Sequence, residues 1–239
     1  VTDDGGESAS GVKAQTEKAQ AEHRWPAAIG VLVILSCYAL LPPSLFGTVR
    51  YGVIALCVAL LVAVVVINPH RLVRETAMSR RLGLALTLVI GLTNQVLLVV
   101  LISMLVQNSE DGPTLLLGAL EIWLTNVIGF ALLYWELDRG GPVVRTQRSR
   151  RELPPADFRF PQDEDDDAID EVAAHSSKSS NWRPGFVDYL YFSLSNSMAF
   201  SPTDTMPLTH RTKLLMGLEA LAGFVLLALV IARGVSLLG

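Results

Sequence analysis

The chain has 239 residues, of which 51% are hydrophobic and only 18% charged, with a formal net charge of -4. That composition excludes an ordinary soluble domain and points to a membrane protein, because the charges are bunched between long apolar runs. The net charge averages basic flanks with one acidic tract, so it says nothing about partners beyond the lipid bilayer, and no nucleic acid is expected.

Residues 1–25 form a polar tail without an apolar h-region, so no cleavable signal peptide is expected and insertion falls to the first span. Val1 and an arginine-rich basic set, with lysine only at Lys13, Lys18, Lys178 and Lys213, fit a GTG start in a GC-rich bacterial genome; a boundary of the sequence explains Val1 equally well. Residues 26–137 hold four predicted spans, at 27–46, 49–67, 82–107 and 114–137. Each is long enough, at ~1.5 Å rise per residue, to cross a hydrocarbon core of roughly 30 Å as a helix. Trp25, Tyr51, Trp123, Tyr134 and Trp135 are read as interfacial belt residues. Pro42 and Pro43 limit the first helix and turn the chain towards the second. Cys37 and Cys57 lie in apolar spans, where cysteine acts as a small hydrophobe, and neither a disulfide nor a metal site is expected.

Loop charge sets the expected orientation. Arg71, Arg74, Arg80 and Arg81 join spans two and three, whereas an acidic turn at 108–113 joins spans three and four. The positive-inside rule puts the first loop and the N-terminus in the cytoplasm and the second loop outside. The expected location is therefore a bacterial inner membrane, multi-pass.

Residues 138–185 are rich in proline, serine and charge and show no helical or strand period, which predicts a disordered cytoplasmic loop. Arg145, Arg148, Arg150 and Arg151 within it are read first as a solvated topology signal. The alternative is a hold on anionic lipid headgroups, at about 1 kcal/mol per charge. The acidic run 163–167 lacks the alternating spacing of a calcium loop and is read as a charged linker.

Residues 186–239 close the chain with a short helix-like segment and a clear span at 214–238. About 15 residues of helix at 186–200 rise only some 22 Å, so a re-entrant or broken segment is expected, and Pro202 and Pro207 fit that reading. The expected fold is all-α: a polytopic transmembrane helical bundle of five full spans plus this segment.

Candidate functional residues are the polar ones inside the spans. Asn94 and Gln95 fall at the centre of span three and Asn126 at the centre of span four. Glu121 and Glu219 each sit about one and a half turns into a span. An ionisable group at mid-bilayer costs about 2.5 to 3.5 kcal/mol even on lenient scales, so these residues are expected to face partners or water. Interhelical hydrogen bonding is the favoured reading for the amides; for the glutamates a functional and a structural role stand level. Ser193, Asn196 and Ser197 recur at helical spacing on one face. No nucleophile with a base, metal-ligand spacing or phosphate loop is present, and His23, His70, His175 and His210 all lie in polar flanks, so neither an enzyme nor a cofactor is expected.

The run Phe186-Val-Asp-Tyr-Leu-Tyr-Phe-Ser193, a polar turn and the final span with Leu218-Glu-Ala-Leu221 resemble the pore helix, filter and inner helix of two-span potassium-channel modules. Aligned on Tyr191-Phe-Ser193, the filter falls on Ala199-Phe-Ser-Pro-Thr-Asp204, where Asp204 matches and Ser201 and Thr203 replace both glycines. Potassium selectivity does not carry over, since those glycines allow the filter's backbone angles. The two short-loop hairpins, Asp157-Phe-Arg-Phe-Pro161, Tyr189-Leu-Tyr-Phe192, Met198, Phe200 and Asp204 resemble an uncharacterised bacterial integral membrane family known as a domain of unknown function. The channel resemblance implies a pore-like module, oligomeric, with Ser193, Asn196, Ser197, Phe200, Ser201, Thr203 and Asp204 around the path of a small ion or polar solute. The alternative is a non-conducting structural or lipid-contacting protein that keeps the module as packing. A channel's pore loop enters from outside, whereas the flanking charge here favours the cytoplasmic side.

Overall fold

The computed structural model describes residues 23–67, 77–107, 112–199 and 205–238. Arg71, Arg74, Phe200, Ser201, Thr203 and Asp204 lie outside the described residues.

Among the described residues four helices are long and apolar enough to cross a membrane. These are α3 (Val49–Ile67), α4 (Ala77–Gln107), α5 (Gly112–Leu137) and α9 (His210–Leu238). The first apolar helix, α1 (Trp25–Leu40), has 16 residues and stops where Leu41 and Pro42 leave helical angles; a short α2 (Pro43–Phe46) follows. The predicted first span of 27–46 is therefore broken at the prolines, because Pro43 has no N–H for the preceding ladder. Arg50 supplies the donors: its guanidinium bonds Leu41 O at 2.7 Å, Ala39 O at 3.3 Å and Gly47 O at 3.1 Å. A buried cation at a helix C-terminus also meets the negative end of the helix dipole.

Helix α5 is the hub, packing against α1, α4, α8 (Phe186–Ala199) and α9. Two-thirds of its apolar window, 67%, is buried, against 17% in α3, which lies at the edge. Accordingly Trp25 and Tyr51 are exposed as belt residues should be, while Tyr134 and Trp135 are core residues and not belt residues at all. Their apolar bodies fill the space between α5 and α8, with Trp135 edge-on to Phe186 at 6.0 Å.

Residues 138–185 are not a disordered loop. They fold into a cap over one end of the bundle, through α6 (Pro142–Gln147), β1 (Phe158–Arg159), the single turn α7 (Asp170–Ala173) and several 3-10 turns. The composition that predicted disorder overlooked two phenylalanines. Phe158 is fully buried against Tyr134, Phe192 and Tyr189, with ring centroids at 5.1, 5.1 and 6.3 Å. Phe160 packs edge-on to Tyr189 at 5.3 Å and to Trp182 at 5.7 Å. Two aromatic anchors inserted into a preformed bundle offset the ordering cost of a polar segment.

The turn out of α5 needs three residues at positive φ in succession, Arg139 (51°), Gly140 (83°) and Gly141 (95°). Two are glycine, which accepts that region freely. The third is held there by bonds from Arg139 Nη2 to Phe158 O at 3.3 Å and to Asp163 at 2.5 Å.

The cap also closes the last hairpin. After α8 the chain returns to pair β2 (Met206–Pro207) antiparallel with β1, and α9 begins three residues later. Helices α8 and α9 thus start at the same end of the bundle, the end that also carries Arg24, Arg80 and the cap.

This architecture makes Phe158 the cap's main apolar anchor. Phe158→Ala should lower stability by about 3 to 5 kcal/mol and open the 138–185 segment to limited proteolysis, whereas Val172→Ala, on the exposed side of the cap, should change neither. Equal protease sensitivity of the two variants in detergent would contradict the anchored cap.

Candidate functional site: the buried polar face of α8

Helix α8 lies against α5 and parallel to α9, and its polar face is turned wholly into the bundle. Ser193 is fully buried, and its hydroxyl reaches both Val127 O at 2.8 Å and the Glu219 carboxylate. Asn196 Nδ2 donates to Glu219 Oε2 at 2.7 Å and to Met216 O at 3.1 Å. Ser197 Oγ accepts from the indole N–H of Trp123 at 3.0 Å.

Glu219 gathers these contacts. It is fully buried in α9 and accepts hydrogen bonds from three side chains on two helices: Tyr134 at 2.7 Å from α5, and Ser193 and Asn196 from α8. The spacing follows from the helical period, since Ser193, Asn196 and Ser197 at i, i+3 and i+4 face one line of α9. Close approach is possible because Gly223 sits one turn beyond Glu219. A Cβ there would fall 2.5 Å from Ser197 O.

The sequence-predicted polar residues divide into separate groups. Asn94 bridges helices, donating to Thr125 O at 2.8 Å and accepting from Tyr38 at 2.7 Å, while Gln95 donates to Asn126 Oδ1 at 3.1 Å. This is interhelical bonding, as expected of the amides. Glu121 does not join Glu219; it is half-buried on α5, and its Oε2 has no hydrogen-bond partner among the described residues. Tyr38, Trp123 and Tyr134 are partners that sequence reasoning missed, each an aromatic with a polar tip in an apolar run.

A second polar cluster joins α8 to the cap. Asp138 is fully buried, and its carboxylate accepts from Asp157 N at 2.7 Å, Phe158 N at 3.3 Å and Tyr189 Oη at 2.6 Å. Arg145, read from sequence first as a solvated topology signal and alternatively as a headgroup ligand, is instead fully buried. Its Nη1 donates to Trp135 O at 3.1 Å and Asp138 O at 3.0 Å, and the guanidinium lies 5.1 Å over the Tyr189 ring. Arg150 is also engaged, with Trp182 O and Asn181. Arg148 and Arg151 remain exposed. Burial pulls the Arg139 guanidinium down, but Asp138 and Asp163 on either side hold it above the ordinary arginine value. Asp163, from the acidic run, serves as a bonding centre, accepting also from Phe160 N at 3.1 Å and Ser177 Oγ at 2.9 Å.

At the outer edge of the cap Asp157 grips the start of α9. It accepts from Arg211 Nε at 2.8 Å and Nη2, and from Thr209 Oγ1 at 2.8 Å.

With this geometry in hand, comparison with known proteins adds no relative: no protein-family model matches the chain, and neither does a curated protein or a solved structure.

Two substitutions probe the α8–α9 contact. Glu219→Leu leaves the Tyr134 hydroxyl without its acceptor, while Asn196 keeps Met216 O, and should cost about 1 to 3 kcal/mol for the unpaired hydroxyl. Glu219→Gln keeps one acceptor oxygen and should cost clearly less. Gly223→Ala should cost about 1 to 3 kcal/mol through the clash with backbone, while Gly217→Ala, where a Cβ meets nothing within 4 Å, should be neutral or slightly stabilising. Thermal unfolding of the four variants in one detergent checks the order; a Gly223→Ala protein as stable as Gly217→Ala would contradict the close approach.

Proposed function

We propose that this chain is a multi-pass protein of a bacterial inner membrane, with five spans and a re-entrant α8, that by itself conducts nothing and acts as a structural, lipid-contacting membrane component. The single observation that carries this reading is that Ser193, Asn196 and Ser197 are bonded to α5 and α9. A pore lining needs such groups free to exchange ion hydration for protein oxygens. Here their donors and acceptors are spent on Glu219, Val127, Met216 and Trp123, which makes the α8 hairpin a packed wedge. The cap end of the bundle faces the cytoplasm in this reading, in keeping with Arg80, Arg81 and the α9 flank.

One observation favours a second reading, a pore-loop-like channel or transporter for a small ion or polar solute. Helices α8 and α9 start at the same end of the bundle, and α8 stops about halfway down α5, where Ser197 meets Trp123. A half-helix C-terminus at that depth presents carbonyl oxygens and the negative end of its dipole to a cation. That reading requires an oligomer of this chain.

Flux through reconstituted liposomes separates the two. Vesicles holding the protein should be as tight to potassium, sodium, protons and small anions as empty vesicles, and Glu121→Gln should leave them so. Selective flux above the empty-vesicle rate, altered by Glu121→Gln, would replace the first reading with the second.

A further inference from the structure

A groove of 720 Å³ opens on the cap end of the bundle, between the ends of three membrane-length helices and the cap. Arg80 comes from the start of α4, Leu137 is the last residue of α5, and Thr209 and Arg211 flank the start of α9. Arg148 comes from the cap just after α6, with its backbone fixed by a bond from Arg148 N to Val144 O at 3.1 Å and by Arg183 Nη2 to Arg148 O at 2.9 Å. Leu137, Val144, Pro154 and Pro155 supply the apolar part of its lining.

Charge in the groove is unbalanced. Three guanidinium groups line it against one carboxylate, that of Asp157. Asp157 already takes Arg211 and Thr209, yet the Arg211 side chain keeps 57% of its surface exposed. Arg80 also borders Glu136 on its other side, so it contributes field and not a dedicated ligand. Arg148 is exposed and makes no salt bridge to a carboxylate among the described residues.

Depth identifies the occupant. Arg80, Leu137, Thr209 and Arg211 stand at the ends of helices long and apolar enough to cross the membrane, just beyond their apolar stretches, which is the level of lipid phosphates. Guanidinium groups recognise phosphate oxygens by paired hydrogen bonds. The apolar lining beside them suits the glycerol and the first methylenes of an acyl chain.

We propose that this groove binds the phosphate of an anionic phospholipid headgroup, with Arg148 and Arg211 as its ligands. The inference rests on the lipid-contacting reading above and names its partner. Of the run Arg145 to Arg151 it keeps Arg148 alone, and it pairs that residue with Arg211 at the start of α9. A lipid held there would tie the cap to α4 and α9 at once.

The test uses the whole chain in a neutral detergent, titrated with phosphatidylglycerol, phosphatidylcholine or glycerol 3-phosphate and read by native mass spectrometry and thermal unfolding. One phosphatidylglycerol should be retained and should raise the unfolding temperature, with phosphatidylcholine doing neither. Arg148→Ala should weaken retention about five-fold, the equivalent of one charge at a lipid surface, with its lipid-free unfolding temperature unchanged. Arg151→Ala, exposed but outside the groove, should bind as the parent does. Arg211→Lys should fall between parent and Arg148→Ala if the cap stays closed, as protease resistance will show.

Equal retention of both lipids, or an Arg148→Ala protein that binds as tightly as the parent, would overturn the site. Displacement of phosphatidylglycerol by glycerol 3-phosphate at matched concentration would assign the groove to a soluble phosphate ester and overturn the lipid assignment. Flux measured in the same lipid keeps the two readings apart. Leaky vesicles with selective retention overturn the non-conducting reading alone, and tight vesicles without retention overturn the groove alone.

Discussion

The buried carboxylate of Asp138 is the constraint on which the cap, α8 and the start of α9 all depend. It stands at the first residue beyond α5, where the bundle's hub helix must end, and it binds two backbone N–H groups of the cap and the hydroxyl of Tyr189 in α8. Those three bonds place Phe158 among Tyr134, Tyr189 and Phe192, and Asp157 beside Arg211. A buried carboxylate is tolerable only where donors surround it. Asp138 has them, and in using them it fixes where the cap sits, how far α8 descends and where α9 begins.

A similar logic operates deeper in the bundle. A half-length helix with three polar side chains on one face cannot rest against lipid, because hydrocarbon offers no donors or acceptors. Glu219 converts that face from a liability into an interface, accepting from Tyr134 and Asn196 and from Ser193. Gly223 then lets the backbones close to van der Waals contact. Small residues and satisfied polar groups are the usual means of holding helices together where the hydrophobic effect does not operate between them. The same economy explains why Asn94, Gln95 and Asn126 pair across α4 and α5 and do not line a common path.

Much of this architecture was legible in the residues. Long uncharged runs mark the four membrane-length helices, the paired prolines mark the break after α1, and the short polar-faced segment marks α8, since each rests on a local period or a local breaker. What was illegible rests on distant partners. Nothing near Asp138 or Phe158 in sequence reveals that a proline- and serine-rich stretch will close over the bundle; its anchors are two rings and one carboxylate within 48 mostly polar residues. Arg145 has the composition of a topology signal and the position of a core residue. Tyr134 resembles an interfacial tyrosine until the residue it bonds, 85 positions away, is known. The candidate site was thus half visible: Ser193, Asn196, Ser197 and Glu219 stand out singly as polar residues in apolar surroundings, but only packing brings them together.

The order of synthesis gives the α8–α9 contact a further meaning. Ser193 and Asn196 find their acceptor 26 and 23 residues later, in a helix that leaves the ribosome after them. At the moment α8 emerges, its polar face has only Trp123 and the α5 backbone to meet. Helix α8 must therefore wait at the surface, or sit shallowly, until α9 has been threaded through and Glu219 arrives at its depth. The last transmembrane helix is in this sense the chaperone of the half-helix before it, and a chain cut before Glu219 would be left with an α8 that has nowhere to go.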